Sequence, residues 1–475
     1  MAIGQSDAVD QAPKESFRGK ATFGFELEFL ALFKEFGTKT PWEGGDGTQC
    51  TQPILEEPPD INKTGSDHEL HMRRLHHFGG IIAQKLTEAG MYAEYREKGH
   101  PSADEVEGQP ADDVKLGPFR GYRYTAYENT TVIPEETMIW TDPLVDGRRM
   151  LVRPAAQEGY FWLGFEVVSK AYLWQERQRA EAHLERTCRV LRANYRLSVN
   201  TGITSVKDSS RCSVHIYWGI RGLPLPLHNL KRLLTLLWVA EAKLLDLHAT
   251  WKQEAIKYAA PLQKRTNMAM DKTDMLPSWV DEDDAHAAPW RDEMERNVPP
   301  FVSQALHNGK AKVPWLWRAE TVEDLAKLVG ESDRSRKAAI AVTEHLPPQS
   351  EFWGKVRKSQ LNTVEFRHMQ GSLEPELVAA WIHVTARITE VCVDFDADEF
   401  HDLLGKVANC VDHGGPTAVY KLLDVLGVQR AVSQVFESHN QDKLDEEAKP
   451  EKAMFLHPME AAHAKPSSRS SCVIG

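Results

Sequence analysis

The sequence predicts an α+β fold, and three observations carry that expectation. Strand and helix patterns are both plentiful along the chain. Their spacing is too irregular for a repeating βαβ unit. Four strand segments each alternate an apolar face with a face bearing acid, imidazole or guanidinium groups. With 41% hydrophobic and 27% charged residues in 475, the composition is that of an ordinary globular chain with a sizeable core.

The elements follow in order. Thr22 to Phe33 reads as a strand. Ser66 to Ala89 reads as a helix, with Ser66 as cap, Leu70, Leu75, Ile81, Ile82 and Leu86 near one stripe, and Gly90 as its stop. Phe161 to Val168 is strand-like, and Ala171 to Tyr195 is a long charged helix. Cys212 to Trp218 is a strand, and His228 to His248 is a strongly apolar helix. Asn362 to His368 is a strand, Glu374 to Val391 a helix, and short helices are expected at Thr417–Leu426 and Val428–Glu437. Polar, low-complexity composition predicts disorder over residues 1–18 and 439–475, which leaves one domain at 19–438. Two segments read as insertions in that domain, 97–115 and 271–300, and there is no internal repeat.

Composition narrows the partners. A net charge of −12 argues against nucleic acid as the main one, because phosphate backbones require an excess of Lys and Arg. No apolar run reaches the length of a membrane span. The polar N-terminal stretch lacks a signal segment, so a cytoplasmic protein is the expectation. Cys50, Cys188, Cys212, Cys392, Cys410 and Cys472 are scattered without a C-x-x-C pair and read as reduced thiols. Cys472-Val473-Ile474-Gly475 has the outline of a prenylation signal, but with Gly as its final residue a plain tail is the stronger reading. Nothing specifies an oligomeric state.

The chemistry lies in the alternation. Phe25, Leu27 and Phe29 share one strand face, and Glu26 and Glu28 occupy the other. Phe161, Leu163, Phe165 and Val167 oppose Glu166. Val214, Ile216 and Trp218 oppose Ser213, His215 and Tyr217. Val364 and Phe366 oppose Glu365 and Arg367. Any one such strand is adequately explained by a solvated sheet face. If the four join one sheet, a single arginine faces four carboxylates that repel one another. Bound Mg²⁺, which takes oxygen ligands and keeps positions open for phosphate, would resolve that repulsion.

The same four segments carry a family resemblance. Gly24-Phe25-Glu26-Leu27-Glu28-Phe29 resembles the G-x-E-x-E-F entry strand of glutamine synthetases and glutamate–cysteine ligases, and more closely that of the fungal-type amidoligases. Gly164-Phe165-Glu166-Val167-Val168-Ser169 and Cys212-Ser213-Val214-His215 resemble the next two strands of that family. Glu365-Phe366-Arg367 resembles its E-F-R strand, with Gly371-Ser372-Leu373 and the helix of Trp381 following. The motifs occur in the family's order over about residues 20–395.

The resemblance implies a curved, mainly antiparallel sheet of the glutamine-synthetase-like type, with a polar concave active-site face and helices on its apolar back. It also implies ATP-dependent joining of a small-molecule or peptide carboxylate to an amine through an acyl phosphate. Glu26, Glu28, Glu166, His215 and Glu365 would ligate Mg²⁺ or Mn²⁺, and Arg367 would contact the transferred phosphate. Four features depart from the pattern. Tyr217 stands where a second, nucleotide-contacting histidine is usual. His368-Met369 replaces Gln-His. Glu135 stands near the place of an aspartate and is a candidate base. A usual arginine after the apolar helix is not evident, with Lys252, Lys257 or Arg265 as substitutes. A catalytically inactive scaffold with the same fold is therefore the alternative. A zinc site at His68-Glu69-Leu70-His71 with His76 and His77 lacks the H-E-x-x-H spacing and reads better as a helix surface. P-loop and Rossmann motifs are absent from the sequence.

Overall fold

The computed structural model describes residues 16–38, 54–61, 63–96, 130–134, 159–199, 212–250, 259–272, 274–281, 289–330, 338–345, 351–352, 355–356, 362–412 and 417–440. Among these, the strands are β1 Ala21–Lys34, β2 Leu55–Glu56, β3 Ala93–Tyr95, β4 Thr130–Pro134, β5 Tyr160–Val168, β6 Tyr172–Leu173 and β7 Leu197–Ser198. They continue with β8 Ser213–Ile220, β9 Leu306–His307, β10 Lys310–Ala311, β11 Ile340–Ala341, β12 Glu351–Phe352, β13 Lys355–Val356 and β14 Thr363–Gln370. One sheet runs β11-β14-β8-β1-β5-β4-β3, with β2, β6 and β7 also pairing with β1. Its pairings are antiparallel except β1 with β2 and β3 with β4. The fold is thus α+β on a mainly antiparallel open sheet. The four strands with alternating faces are its contiguous centre, β14-β8-β1-β5.

The apolar face is the one covered by helices. Helix Asp67–Glu88 brings Phe78 into a stacked contact with Phe33, ring centroids 3.9 Å apart. Ser66 caps it through a reciprocal capping box with Glu69, which satisfies orphan amides at its start. Gly90 stops it at φ 82°, a left-handed conformation that glycine adopts at little steric cost. Helix Arg177–Asn194 lays His183 against Phe25. In helix Pro375–Asp394, Thr385 Oγ1 accepts a 2.9 Å bond from Trp218 Nε1. Helix Leu227–Leu244 packs behind that one and is buried on almost every face, as its nearly continuous apolar sequence requires.

Three elements differ from the sequence expectation. The charged helix starts at Arg177, because residues 171–176 first form β6 and a turn of 3₁₀ helix. Tyr172 and Trp174 of that stretch are buried beside Phe23, where β6 extends the edge of β1. A helix at Ala397–Asp412, not expected, buries Phe400, Leu403, Leu404 and Val407. Within 271–300, residues Pro289–Asn297 form a helix that buries Met294 and Asn297. At the start of the described chain, Phe17 is buried against Trp218, and its amide bonds the Asp394 carboxylate at 2.8 Å.

Candidate active site on the polar face of the central sheet

Strand register determines which polar side chains meet. Glu26 lies opposite His215 on one side, and Glu28 lies opposite Glu166 on the other. Glu365 lies opposite Tyr217. Between β14 and β8 the register passes from Phe366↔Ile216 to Met369↔Val214, so Arg367 and His368 together face His215. Arg367 and His368 keep the strand's alternation, and the one-residue bulge shows in Met369, which lies opposite the apolar Val214 and is fully buried where alternation alone would turn it to the polar face. Arg367 joins Glu365 in front, and His368 bonds Glu241 of the back helix at 2.9 Å. Such bulges re-aim side chains where a strand would otherwise hold strict alternation. Gly371, just beyond, leaves no room for a Cβ, which would stand 2.6 Å from Cys212 Cβ and 2.7 Å from the Val199 carbonyl oxygen.

The front cluster is dense and buried. Glu26, Glu28, Glu166, His215 and Glu365 are all buried, Glu365 completely. Glu26 Oε2 lies 2.9 Å from His215 Nδ1 and accepts the Tyr217 hydroxyl at 2.6 Å. That hydroxyl also lies 3.1 Å from Glu365 Oε1. The Ser213 amide donates to Glu28 Oε2 at 2.6 Å. His215 Nε2, buried and without a hydrogen-bond partner, stands 3.5 Å from Glu28 Oε1. Arg367 Nη1 bonds Glu365 and lies 3.5 Å from His215 Nδ1.

The electrostatics follow from that crowding. Burial alone would raise the Glu26 pKa, but the hydrogen bond and charge of His215, with further hydrogen bonds from Glu166 and Tyr217, hold it well below the usual carboxylate range. Burial pushes the Tyr217 phenol well above its ordinary value, and the Glu26 and Glu365 carboxylates push it further. For Arg367, the carboxylates of Glu365 and Glu28 outweigh burial and raise its pKa, so it stays charged. Four carboxyls thus face one guanidinium and one imidazole.

The donor set fits a divalent cation. Ligand atoms of Glu26, His215 and Glu365 lie within 4.8 Å of one another, and among the described residues this is the group that could hold a metal ion. His215 Nε2, which has no hydrogen-bond partner, and the surrounding carboxylate oxygens are donor types that such an ion takes. Of the expected site residues, Glu26, Glu28, Glu166, His215, Tyr217, Glu365 and Arg367 come together on this face. Glu135, Lys252, Lys257 and Cys472 lie outside the described residues. Glu69 is engaged in its helix cap, and His76 and His77 rest edge-on to Tyr95 and Phe78. Comparison of the chain with models of known families, with curated proteins and with solved structures returns no match.

Two contributions to the site are not evident from motif spacing. The hydroxyl of Tyr217 ties two carboxylates together, and the backbone amide of Ser213 orients Glu28. The signal for the first was its place on the polar face of β8. The second depends on pairing, which no single strand reveals.

Proposed function

We propose that this protein is an ATP-dependent carboxylate–amine ligase with a glutamine-synthetase-like fold, forming an amide bond through an acyl phosphate and releasing ADP and phosphate. The reading rests on one observation: Glu26, Glu28, Glu166, His215, Glu365 and Arg367 converge on one sheet face, in the order of the motifs that resemble the amidoligases. Glu26, His215 and Glu365 would hold one Mg²⁺ or Mn²⁺, with Glu28 and Glu166 beside them for another. Such ions, when bound, neutralise phosphate oxygens and make the terminal phosphoryl group transferable.

The chain's own residues do the positioning. Arg367 presents a planar fork of donors that stays charged beside Glu365 and suits a phosphoryl group. Glu26 is held ionised, ready for a cation without first losing a proton. Tyr217 fixes the spacing of Glu26 and Glu365. Because these groups stand on adjacent strands rather than loops, little reorganisation remains when charge develops. Glu135 retains its place as the candidate base for the amine. An amino acid, a small peptide or a peptide-derived metabolite is the substrate class, with segments 97–115 and 271–300 as candidate determinants of choice.

Calorimetric titration of a non-hydrolysable ATP analogue, with and without Mg²⁺, tests the proposal. Mg²⁺-dependent binding that disappears in a Glu26→Ala/Glu28→Ala variant is the expected result. The Tyr217 hydroxyl, bonded to Glu26 where the resembling enzymes carry histidine, favours a second reading, a non-catalytic scaffold of the same fold. Absence of nucleotide binding under every metal condition would establish that reading over the first.

A further inference from the structure

A cavity of about 320 Å³ lies at the edge of the helix-covered side of the sheet. Lys170, Arg179 and Arg186 line it, with His183, Tyr172 and Tyr92. It is separate from the carboxylate cluster. His183 contacts Phe25, which points to the apolar face, whereas Glu26 and Glu28 point the other way.

The charges around it are unbalanced. Among the described residues, the carboxylate that approaches any of the three cations is Glu176, 3.5 Å from Arg179 on an exposed stretch of helix. Arg179, His183 and Arg186 fall at helical spacings i, i+4 and i+7, so one stripe of the helix aims them together. Neighbouring acids are engaged elsewhere: Glu181 bonds His383, and Glu185 bonds Arg189. Lys170 enters from the opposite wall, its ammonium 5.0 Å from the centre of the Tyr172 ring. Its backbone is held by Ser169, whose hydroxyl donates to the Lys170 carbonyl and accepts the Phe25 amide.

The consequences are visible in the groups between the cations. Burial, then the charge of Arg179, lowers the Lys170 pKa. Burial, then Lys170, Arg186 and Arg179, pushes His183 down to about 4. His183 stays neutral, with Thr130 Oγ1 at 3.0 Å from Nε2 and the Tyr172 hydroxyl at Nδ1. Three like charges set around one cavity repel, and a multiply charged anion would turn that repulsion into attraction.

We infer that this cavity is a binding site for a small organic phosphate, distinct from the carboxylate cluster. Two arginine forks from one wall and an ammonium from the other match the oxygens of a phosphate dianion. A volume of 320 Å³ exceeds the needs of the phosphate alone. The highly exposed Tyr92 at the rim offers a ring face for an attached planar or sugar moiety.

The test is calorimetry on the full chain in EDTA, which keeps metal-dependent phosphate binding out of the measurement. The probes are inorganic phosphate, pyrophosphate and adenosine 5′-monophosphate, which separate a bare anion site from one that also uses the ring. Binding of at least one probe is expected, weakened about tenfold or more by Arg186→Gln and by Lys170→Gln, each the loss of one charge-assisted hydrogen bond. Glu28→Gln, on the other face, should leave that affinity unchanged. Arg186 is exposed, so its variant should fold; Lys170→Gln is checked by its unfolding midpoint. Failure of all three probes to bind would overturn the inference. So would binding that survives both cavity variants or is lost in Glu28→Gln. Neither result bears on Mg²⁺-dependent nucleotide binding at the carboxylate cluster.

Discussion

Two buried carboxylate–imidazole pairs stand back to back in this protein. In front, Glu26 meets His215 at 2.9 Å. Behind, Glu241 meets His368 at the same distance, and its other oxygen accepts the Leu262 amide at 2.5 Å. Both pairs are nearly inaccessible to solvent. The difference is company. Glu241 has one imidazole and one amide for its two oxygens, with Trp381 packed against His368. Glu26 shares its neighbourhood with Glu28, Glu166 and Glu365. Burial of charge does not by itself distinguish a site from a strut. A surplus of one charge does, because only a ligand of the opposite sign completes it.

The sharpest way to break that comparison is by activity. Glu28→Ala should lower ATP turnover by about 10³-fold or more, the scale of losing a metal-positioned phosphate clamp, measured as ADP release with a screened acid and amine. Turnover that survives in Glu28→Ala and in Glu365→Ala would end the ligase assignment. Stability should respond in the opposite sense. Glu241→Ala leaves His368 and the Leu262 amide without their carboxylate and should cost about 3–5 kcal/mol in urea unfolding. Glu166→Gln, which removes one of four crowded acids, should leave the metal-free protein unchanged or raise its midpoint. If both variants lose stability alike, the two pairs are the same kind of structure.

Smaller effects sharpen the picture. Tyr217→Phe removes the hydroxyl shared by Glu26 and Glu365 and should cost about 2 kcal/mol without metal. That deficit should shrink when Mg²⁺ is added, since a cation takes over the same oxygens; an equal deficit in both conditions counts against a cation there. A pH-dependent effect concerns His183, whose pKa falls from 6.5 unfolded to about 4 folded. As pH drops through that window, the unfolded chain takes up a proton that the native protein refuses. Stability contributed by neutral His183 is therefore full above 6.5 and declines toward pH 4, by about 3 kcal/mol. Unfolding of wild type and His183→Gln across that range reads it as a difference; a constant difference would mean His183 titrates normally.

Much of this was legible in residue order. Alternation in the Glu26, Glu166, His215 and Glu365 strands separates the two faces without any knowledge of pairing, because a strand's period is two. Helix limits at Ser66 and Gly90 are equally local. What alternation cannot show is a change of phase. The extra residue in β14 exists only relative to β8, so the burial of Met369 on the apolar side, one step out of phase, is a fact about two strands. The cation-lined cavity likewise draws on Lys170 after β5 and on one stripe of a later helix. Helix Ala397–Asp412 is a different case. Asp396 and Glu399 cap each other's amides, and Phe400, Leu403, Leu404 and Val407 recur at helical spacing, so its signal was present and unread.

The bulge in β14 has a hereditary consequence. Most strands tolerate drift so long as every second residue keeps its character. Here Arg367 and His368 answer to opposite sides of the sheet, and everything after them is offset by one step. A single-codon deletion between Phe366 and Met369 would remove one of the two and restore an unbroken ladder, at the expense of either the guanidinium or the imidazole. The strand can therefore accept substitutions but not changes of length, and descendants of this chain should vary in spelling there while never varying in count.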